Sequence, residues 1–219
     1  METHILDRRP SRPGGVFTSA AAAVMFFQML GVATSSRAAE LGVLADGRQV
    51  EYLSLLGTSG AIARTALQAD GHTINTLPSL NPVVTGLVDI VWLPLLEIGQ
   101  TYTAQERIWL FDFVQGGGRV VWIGDADVYN GGDDSFLSVF GSGKLIGNLD
   151  AGLTPAPAWA SHPVVTGPHG SVAAVAQTCG YGLFTETTGM AAVFTGQNEE
   201  APPQSGVFAG FIGPESGFS

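Results

Sequence analysis

The sequence predicts an α/β protein: a three-layer sandwich with a mostly parallel central sheet, followed by an irregular, β-rich C-terminal part. Three observations predict it. The segment "LVDIVWLPLL" (Leu87 to Leu96) is a nearly continuous apolar run, as in strands covered on both faces. The pattern Thr103-Ala104-Gln105-Glu106 is a capping box that opens a helix, and Gly116-Gly117-Gly118 closes that helix. "RVVWIG" (Arg119 to Gly124) then supplies another strand, so strand, helix and strand follow in the order a parallel crossover needs.

The remaining elements are read in chain order. Asp46-Gly47 marks a turn, and "VEYLSLL" (Val50 to Leu56) is short, apolar and β-favouring, so a strand is expected there. "GTSG" (Gly57 to Gly60) gives a tight turn with a Ser or Thr cap. A helix over "AIARTALQAD" follows, with Ile62, Ala63, Ala66 and Leu67 at helical spacing and Gly71 as its stop. "HTINTLP" is a second extended segment and "NPVV" leads on to Leu87, giving β-α-β-loop-β-α-β through residue 124. The helix after Thr103 is expected to bury Ala104, Ile108, Phe111 and Val114. From about Phe136 the chain is less regular: "KLIGNL", "SVAAVAQ", "MAAVFTG" and "GVFAGFIG" read as short strands, without a long helix. The ending "GPESGFS" carries neither charge patterning nor a cap, which suggests a truncation or a missing last strand. No repeat of fixed period and no low-complexity tract is seen.

Composition bounds the function classes. The 219 residues are 45% hydrophobic and 13% charged, ample for one well-buried domain over 39–219. Residues 1–38 differ from the rest: Arg8, Arg9, Arg12 and Arg37 are basic, and no charge lies between Arg12 and Arg37. The apolar stretch Val16 to Thr34 followed by Ser36-Arg37-Ala38 reads as a signal peptide cut near Ala38, with an uncleaved membrane anchor as the competing reading. Arg8-Arg9 resembles a twin-arginine export signal, but Pro10-Ser11 follow in place of apolar residues. Export to the periplasm or the extracellular space is expected, with membrane attachment only if the segment stays. Without residues 1–38, five basic residues face seventeen acidic ones, a formal net charge near −12. Phosphate-backbone binding needs clustered Lys and Arg, so nucleic acid is excluded as a partner. Cys179 is the single cysteine, so no disulfide forms within the chain.

The segment "RVVWIGDADVYNGGDD" raises the functional question. It drives an apolar run into Asp125, Asp127, Asp133 and Asp134. Ionised carboxylates are costly to bury without partners, so the cluster belongs at a sheet edge, solvated, ion-bound or met by donors. In parallel α/β sheets, functional groups gather beyond the carboxyl ends of the strands, where these acids fall.

The element order, with "VEYLSLL", "ADGH", "LVDIVWLPL", "FVQGGGRVVWIGDAD" and "HPVVTGP" (His162 to Pro168), resembles the class I glutamine amidotransferase-like superfamily, especially its non-catalytic, envelope-associated branches. The likeness covers roughly residues 48 to 170 and implies a flavodoxin-like, amidotransferase-like sandwich. Catalytic members carry a cysteine nucleophile on the turn after the strand equivalent to "RVVWIG"; here that turn reads Gly124-Asp125-Ala126-Asp127. Cys179 is no substitute, since Gln177 and Tyr181 stand where a nucleophile elbow has glycines and no histidine follows. Glutamine hydrolysis is therefore disfavoured by missing parts.

The same residues resemble other signatures. Asp125-Ala126-Asp127 resembles the D-x-D of haloacid-dehalogenase-type phosphatases, but Tyr129 replaces the usual Thr; it also resembles the metal-holding D-x-D of nucleotide-sugar glycosyltransferases, but basic residues to hold a donor are few. Asp125, Asp127, Asn130, Asp133 and Asp134 supply hard oxygen ligands suited to Ca2+ or Mg2+, although Tyr129 and a late glycine depart from an EF-hand. The plainer reading is a solvated acidic loop that caps a helix at "SFLSVF". Gly57 to Gly60 could cradle an anion but lacks the lysine of a phosphate loop. His72 is expected at a surface or edge, and His162 with His169 in a loop. Trp92, Trp109, Trp122 and Trp159 are expected in packing. The expected function is a non-enzymatic binding or structural module that meets a protein or small-molecule ligand in the cell envelope. The alternative is a phosphatase-like, divalent-metal-dependent hydrolase using Asp125 and Asp127.

Overall fold

The computed structural model describes residues 38–124, 130–139, 145–146, 153–161, 165–166, 171–174, 183–184, 190–197 and 205–212. Its first half is a four-stranded, all-parallel sheet of β1 (Glu40–Leu44), β2 (Thr73–Leu77), β3 (Ile90–Leu93) and β4 (Arg119–Trp122), ordered β2-β1-β3-β4. Helices α1 (Ala61–Ala69), α2 (Pro82–Thr85), α3 (Ala104–Gln115) and α4 (Asn130–Leu137) accompany it. The α/β class and the parallel sheet expected from sequence are present.

Side-chain alternation along the strands builds a core on each sheet face. Leu41 and Val43 of β1, Ile90 and Trp92 of β3 and Val121 of β4 join Ala63 and Leu67 of α1 on one side. Leu44, Val91 and Leu93 join Leu110 of α3 and Phe136 and Leu137 of α4 on the other. Both central strands are sealed, as the apolar run at Ile90–Leu93 predicts.

The helix boundaries follow local chemistry. Thr103 and Glu106 form the capping box: Glu106 N–H donates to Thr103 Oγ1 at 3.2 Å and Thr103 N–H to Glu106 Oε2 at 2.8 Å. The α3 stop is a Schellman turn, in which Gly118 N–H donates to the Phe113 carbonyl and Gly117 N–H to that of Val114. Gly117, at φ 94°, takes the left-handed conformation that a β-carbon disfavours. Gly71 at φ 89° ends α1 in the same way.

Several sequence expectations are corrected. Val50 to Leu56 is not a strand: Glu51–Leu53 is a 3-10 turn, and the first strand is Glu40–Leu44, ahead of it. The four buried residues Leu41 to Leu44 carry a weak β signal, because Gly42 and the flanking Ala and Asp residues dilute it. Gly42 has a packing cause, since a Cβ there would stand 2.6 Å from the Leu77 side chain. "NPVV" is a short helix capped by Asn81, whose Oδ1 accepts from Val83 and Val84 N–H. Gly60 is the α1 N-cap without any side-chain cap bond, so the expected Ser or Thr cap is absent. Ile62 is exposed, and α1 buries Ala63 and Leu67. The α3 stripe is borne out in part: Phe111 and Val114 are half-buried against the core, but Glu106 and Leu110 are its buried residues, and Ala104 and Ile108 are exposed.

The second half holds a five-stranded antiparallel sheet ordered β5-β7-β9-β8-β6, from Leu145–Ile146, Leu183–Phe184, Ser205–Ile212, Met190–Gln197 and Thr154–Pro155 in that spatial order. "KLIGNL", "MAAVFTG" and "GVFAGFIG" thus contain strands, whereas residues 171–174 of "SVAAVAQ" do not. Among the described residues no helix is long and apolar enough to cross a membrane, and residues 1–37, which carry the expected signal peptide, lie outside them.

Candidate functional site

The carboxyl ends of the parallel strands are where the sheet leaves its crevice. β1 sends the chain towards β2, and the chain then returns past β1 to β3, so the connections part between β1 and β3. Beyond those two strand ends lie the loop at Asp46 to Gln49, the loop from Leu95 to Thr103, and the start of α3. Val50 N–H donates to the Leu95 carbonyl at 2.8 Å and Glu97 N–H to the Arg48 carbonyl at 2.7 Å, fastening the two loops together.

Arg48 stands between them. Its Nε–H and Nη2–H donate to Asp46 Oδ2 at 2.9 and 2.5 Å, and Nη2–H also donates to Glu106 Oε1 at 2.5 Å. Nη1–H donates to Glu106 Oε2 at 3.2 Å and to the Thr101 carbonyl at 2.8 Å. One guanidinium thus joins the β1 loop, the β3–α3 loop and the α3 cap. Burial works against the charge of Arg48, but the hydrogen bonds to Asp46 and then Glu106 outweigh it, so its pKa is raised. The arrangement is a charge lock whose donors are engaged within the fold.

Tyr102 lies beneath the lock. Its side chain is buried, with the Arg48 guanidinium carbon 5.9 Å from the ring centroid and Phe136 packed at 6.0 Å between centroids. Phe136 in turn stacks on Trp122 at 4.8 Å, so an aromatic row runs from the lock to the end of β4. The buried Tyr102 hydroxyl has no hydrogen-bond partner among the described residues. Burial raises its pKa; Arg48 pulls the other way, and the carboxylates of Asp133, Asp46 and Glu106 add to the rise.

The acidic segment "DADVYNGGDD" is divided by the structure. Asp125 and Asp127 lie outside the described residues. Asn130 begins α4, and Asp133 and Asp134 lie within that helix rather than in a loop, so the helix starts five residues before "SFLSVF". Asp133 is buried at 2% exposure and Asp134 is exposed, because consecutive helical residues point about 100° apart. Gly132 lets the first turn of α4 approach the β3–α3 loop, since a Cβ there would stand 3.2 Å from the Gln100 carbonyl oxygen and 3.3 Å from Leu96. The Tyr102 N–H donates to Ser135 Oγ at 2.9 Å and Arg107 Nη1–H to Ser138 Oγ at 2.9 Å, fixing α4 against α3. Among the described residues no group of three or more His, Cys, Asp or Glu could hold a metal ion.

The other candidates fall into place locally. In "GTSG", Cβ atoms at Gly57 and Gly60 would meet the Glu51 carbonyl oxygen at 2.2 Å and that of Ser54 at 2.5 Å, so these glycines serve close backbone approach. Arg64 Nη1–H donates to the Leu55 carbonyl at 2.6 Å and to that of Gly57 at 3.3 Å, filling this turn with a cation of the chain's own. His72 Nδ1 accepts from Ala39 N–H at 3.0 Å, tying β1 to the start of β2. Trp92 is buried in the core, Trp109 and Trp122 are half-buried, and Trp159 is half-buried in a 3-10 turn, Pro157–Trp159. His162, His169 and Cys179 lie outside the described residues.

The sequence points to the carboxyl edge of the sheet through Asp125 and Asp127, which lie outside the described residues, and holds no local sign that Asp46, Arg48 and Tyr102 meet at that edge. Asp46-Gly47 was legible as a turn, and Glu106 as a cap; that Arg48 links them across 58 residues had no local signal. Comparison with known proteins finds no match to any family model, to a characterised protein or to a solved structure.

Proposed function

We propose that this chain is an exported, non-enzymatic α/β module with an amidotransferase-like, flavodoxin-like architecture, which engages a protein or small-molecule ligand of the cell envelope at the carboxyl edge of its parallel sheet. One observation carries the reading: at that edge Arg48, Asp46 and Glu106 spend their charges on one another, while Tyr52 in the 3-10 turn that follows the first loop is 56% exposed and Ile98 on the β3–α3 loop is 61% exposed. A rim with mutually satisfied charges and exposed apolar side chains suits recognition by surface contact. The turn Gly124-Asp125, without a thiol, and the element order of the resemblance support the same reading.

The test has two arms. Calorimetric titration of the full chain with Ca2+ and with Mg2+, beside an assay on a phosphate monoester, is expected to give neither binding heat nor turnover. Metal-dependent hydrolysis that disappears in Asp125→Ala with Asp127→Ala would overturn the proposal in favour of the hydrolase. In the second arm, co-sedimentation of the full chain with purified envelope fractions is expected to fall several-fold in Tyr52→Ala with Ile98→Ala. Unchanged co-sedimentation would remove the rim from the function.

A further inference from the structure

A groove of about 330 Å³ lies between α3 and the end of α4, lined by Ala104, Arg107, Ile108, Phe111, Ser138 and Val139. Its floor follows from helical geometry. Ala104, Ile108 and Phe111 stand at i, i+4 and i+7 of α3 and form one apolar stripe, which the sequence expects to be buried. The core takes only part of it. Phe111 and Val139 are half-buried against the core, whereas Ala104 is exposed and Ile108 is 54% exposed, because α3 turns Glu106 inward to Arg48.

Arg107 supplies the charge of the groove. Its Nη1–H donates to Ser138 Oγ at 2.9 Å, at the surface, and among the described residues no acceptor takes its other N–H groups, the buried Nε–H included. No Asp or Glu lines the groove, and Asp112 of α3 and Asp134 of α4, both exposed, form no ion pair with Arg107. Arg48 is the opposite case: Asp46, Glu106 and the Thr101 carbonyl consume its donors inside the fold. Arg107 therefore keeps a planar fork of donors for an anion. The net charge of −10 resists an anion at long range, but salt screens that resistance beyond about 8 Å and leaves a direct contact intact.

We propose that this groove binds a small anionic amphiphile, with its carboxylate on Arg107 and its hydrocarbon chain across Ala104, Ile108, Phe111 and Val139. Size decides the class of occupant. Six lining residues fall far short of the roughly 20–30 per side of a stable protein–protein interface, whereas a volume of about 330 Å³ lies within the range of small-molecule sites. Charge decides the head group, since a neutral head leaves the guanidinium without a counter-charge and a cationic head is repelled by it. The groove contains neither Tyr52 nor Ile98, so this proposal and the proposed function fail separately.

Calorimetric titration of the full chain with decanoate, below its micelle concentration, is expected to show saturable binding of one molecule per chain. Decanol, which has the same chain and no charge, is expected to bind about tenfold more weakly, and decyltrimethylammonium not at all. Arg107→Gln is expected to weaken decanoate about tenfold and to leave decanol unchanged, whereas a purely structural role for Arg107 would weaken both together. Ile108→Asp, a change at an exposed position, is expected to abolish decanoate binding; it decides the matter if the Arg107 variant fails to fold. Absence of saturable decanoate binding, decanol bound as tightly as decanoate, or a decanoate affinity unchanged in Arg107→Gln or Ile108→Asp would overturn the proposal.

Discussion

Two borders of one sheet are finished in opposite ways. At the carboxyl rim between β1 and β3, Arg48, Asp46 and Glu106 close on one another over a buried aromatic row. At the lateral border, the outward backbone groups of β2 meet no strand among the described residues, and an uncharged run lies beside them. The rim is closed by side chains distant in sequence, whereas the lateral border meets no such closure among the described residues. The contrast teaches that a charged cluster does not by itself mark the surface available to a partner, because its charges can be consumed inside the fold.

Mutations at the two borders are expected to differ accordingly. Arg48→Ala strands Asp46 and Glu106, whose side chains are only 11% and 12% exposed. Allowing for partial solvent screening, the loss is expected to be about 2–3 kcal/mol, measured by urea unfolding. A loss below about 0.5 kcal/mol would show the lock to be ornamental to stability. Gly132→Val pushes α4 from the Gln100 carbonyl and is expected to cost about 1–3 kcal/mol. If the thermal midpoint of that variant equals wild type, the close approach of α4 is wrong.

Tyr102→Phe removes a buried hydroxyl that has no partner among the described residues and is expected to stabilise the protein by about 1 kcal/mol. It also carries a pH signature. The folded-state pKa of Tyr102 is raised above the ordinary value near 10, so its contribution to stability is fully present below pH 10 and is lost as pH rises from there towards the folded pKa. Wild-type stability is expected to fall above pH 10 by up to about 1.4 kcal/mol per pH unit from this group, and the Phe variant to lack that component. Identical alkaline slopes in the two proteins would contradict a buried phenol. At the other border, Thr76→Lys is expected to change stability by less than about 0.5 kcal/mol, because Thr76 is exposed and its N–H faces away from β1. A larger loss would mean that β2 has partners within its own fold.

What the sequence revealed follows a physical rule. Signals that rest on a few adjacent residues were legible: the capping box at Thr103, the glycine stop after Gln115, the twice-covered strand at Ile90–Leu93 and the strand before Gly124. Helix faces were misread wherever packing chose between two apolar stripes. On α3, Glu106 is drawn inward by Arg48, and this turns Ile108 outward although Ile108 is the more apolar residue. The first strand was missed and a turn taken for it, because the Leu-rich "YLSLL" has better β composition than "ELGVL" while the register with β2 and β3 favours the latter. The site was legible only as an edge. Its members, Asp46, Arg48, Tyr102 and Glu106, come from separate loops that only the folded sheet brings together.

Glu106 holds two tasks in one carboxylate, since the oxygen that receives Thr103 N–H also receives Arg48. Capping of α3 and closure of the neighbouring crevice therefore draw on one carboxylate. A chain that opened this crevice to a ligand would keep the Thr103 cap of α3 yet strand a half-buried carboxylate, so losing either member of the Arg48–Glu106 pair penalises the other before any new contact can form.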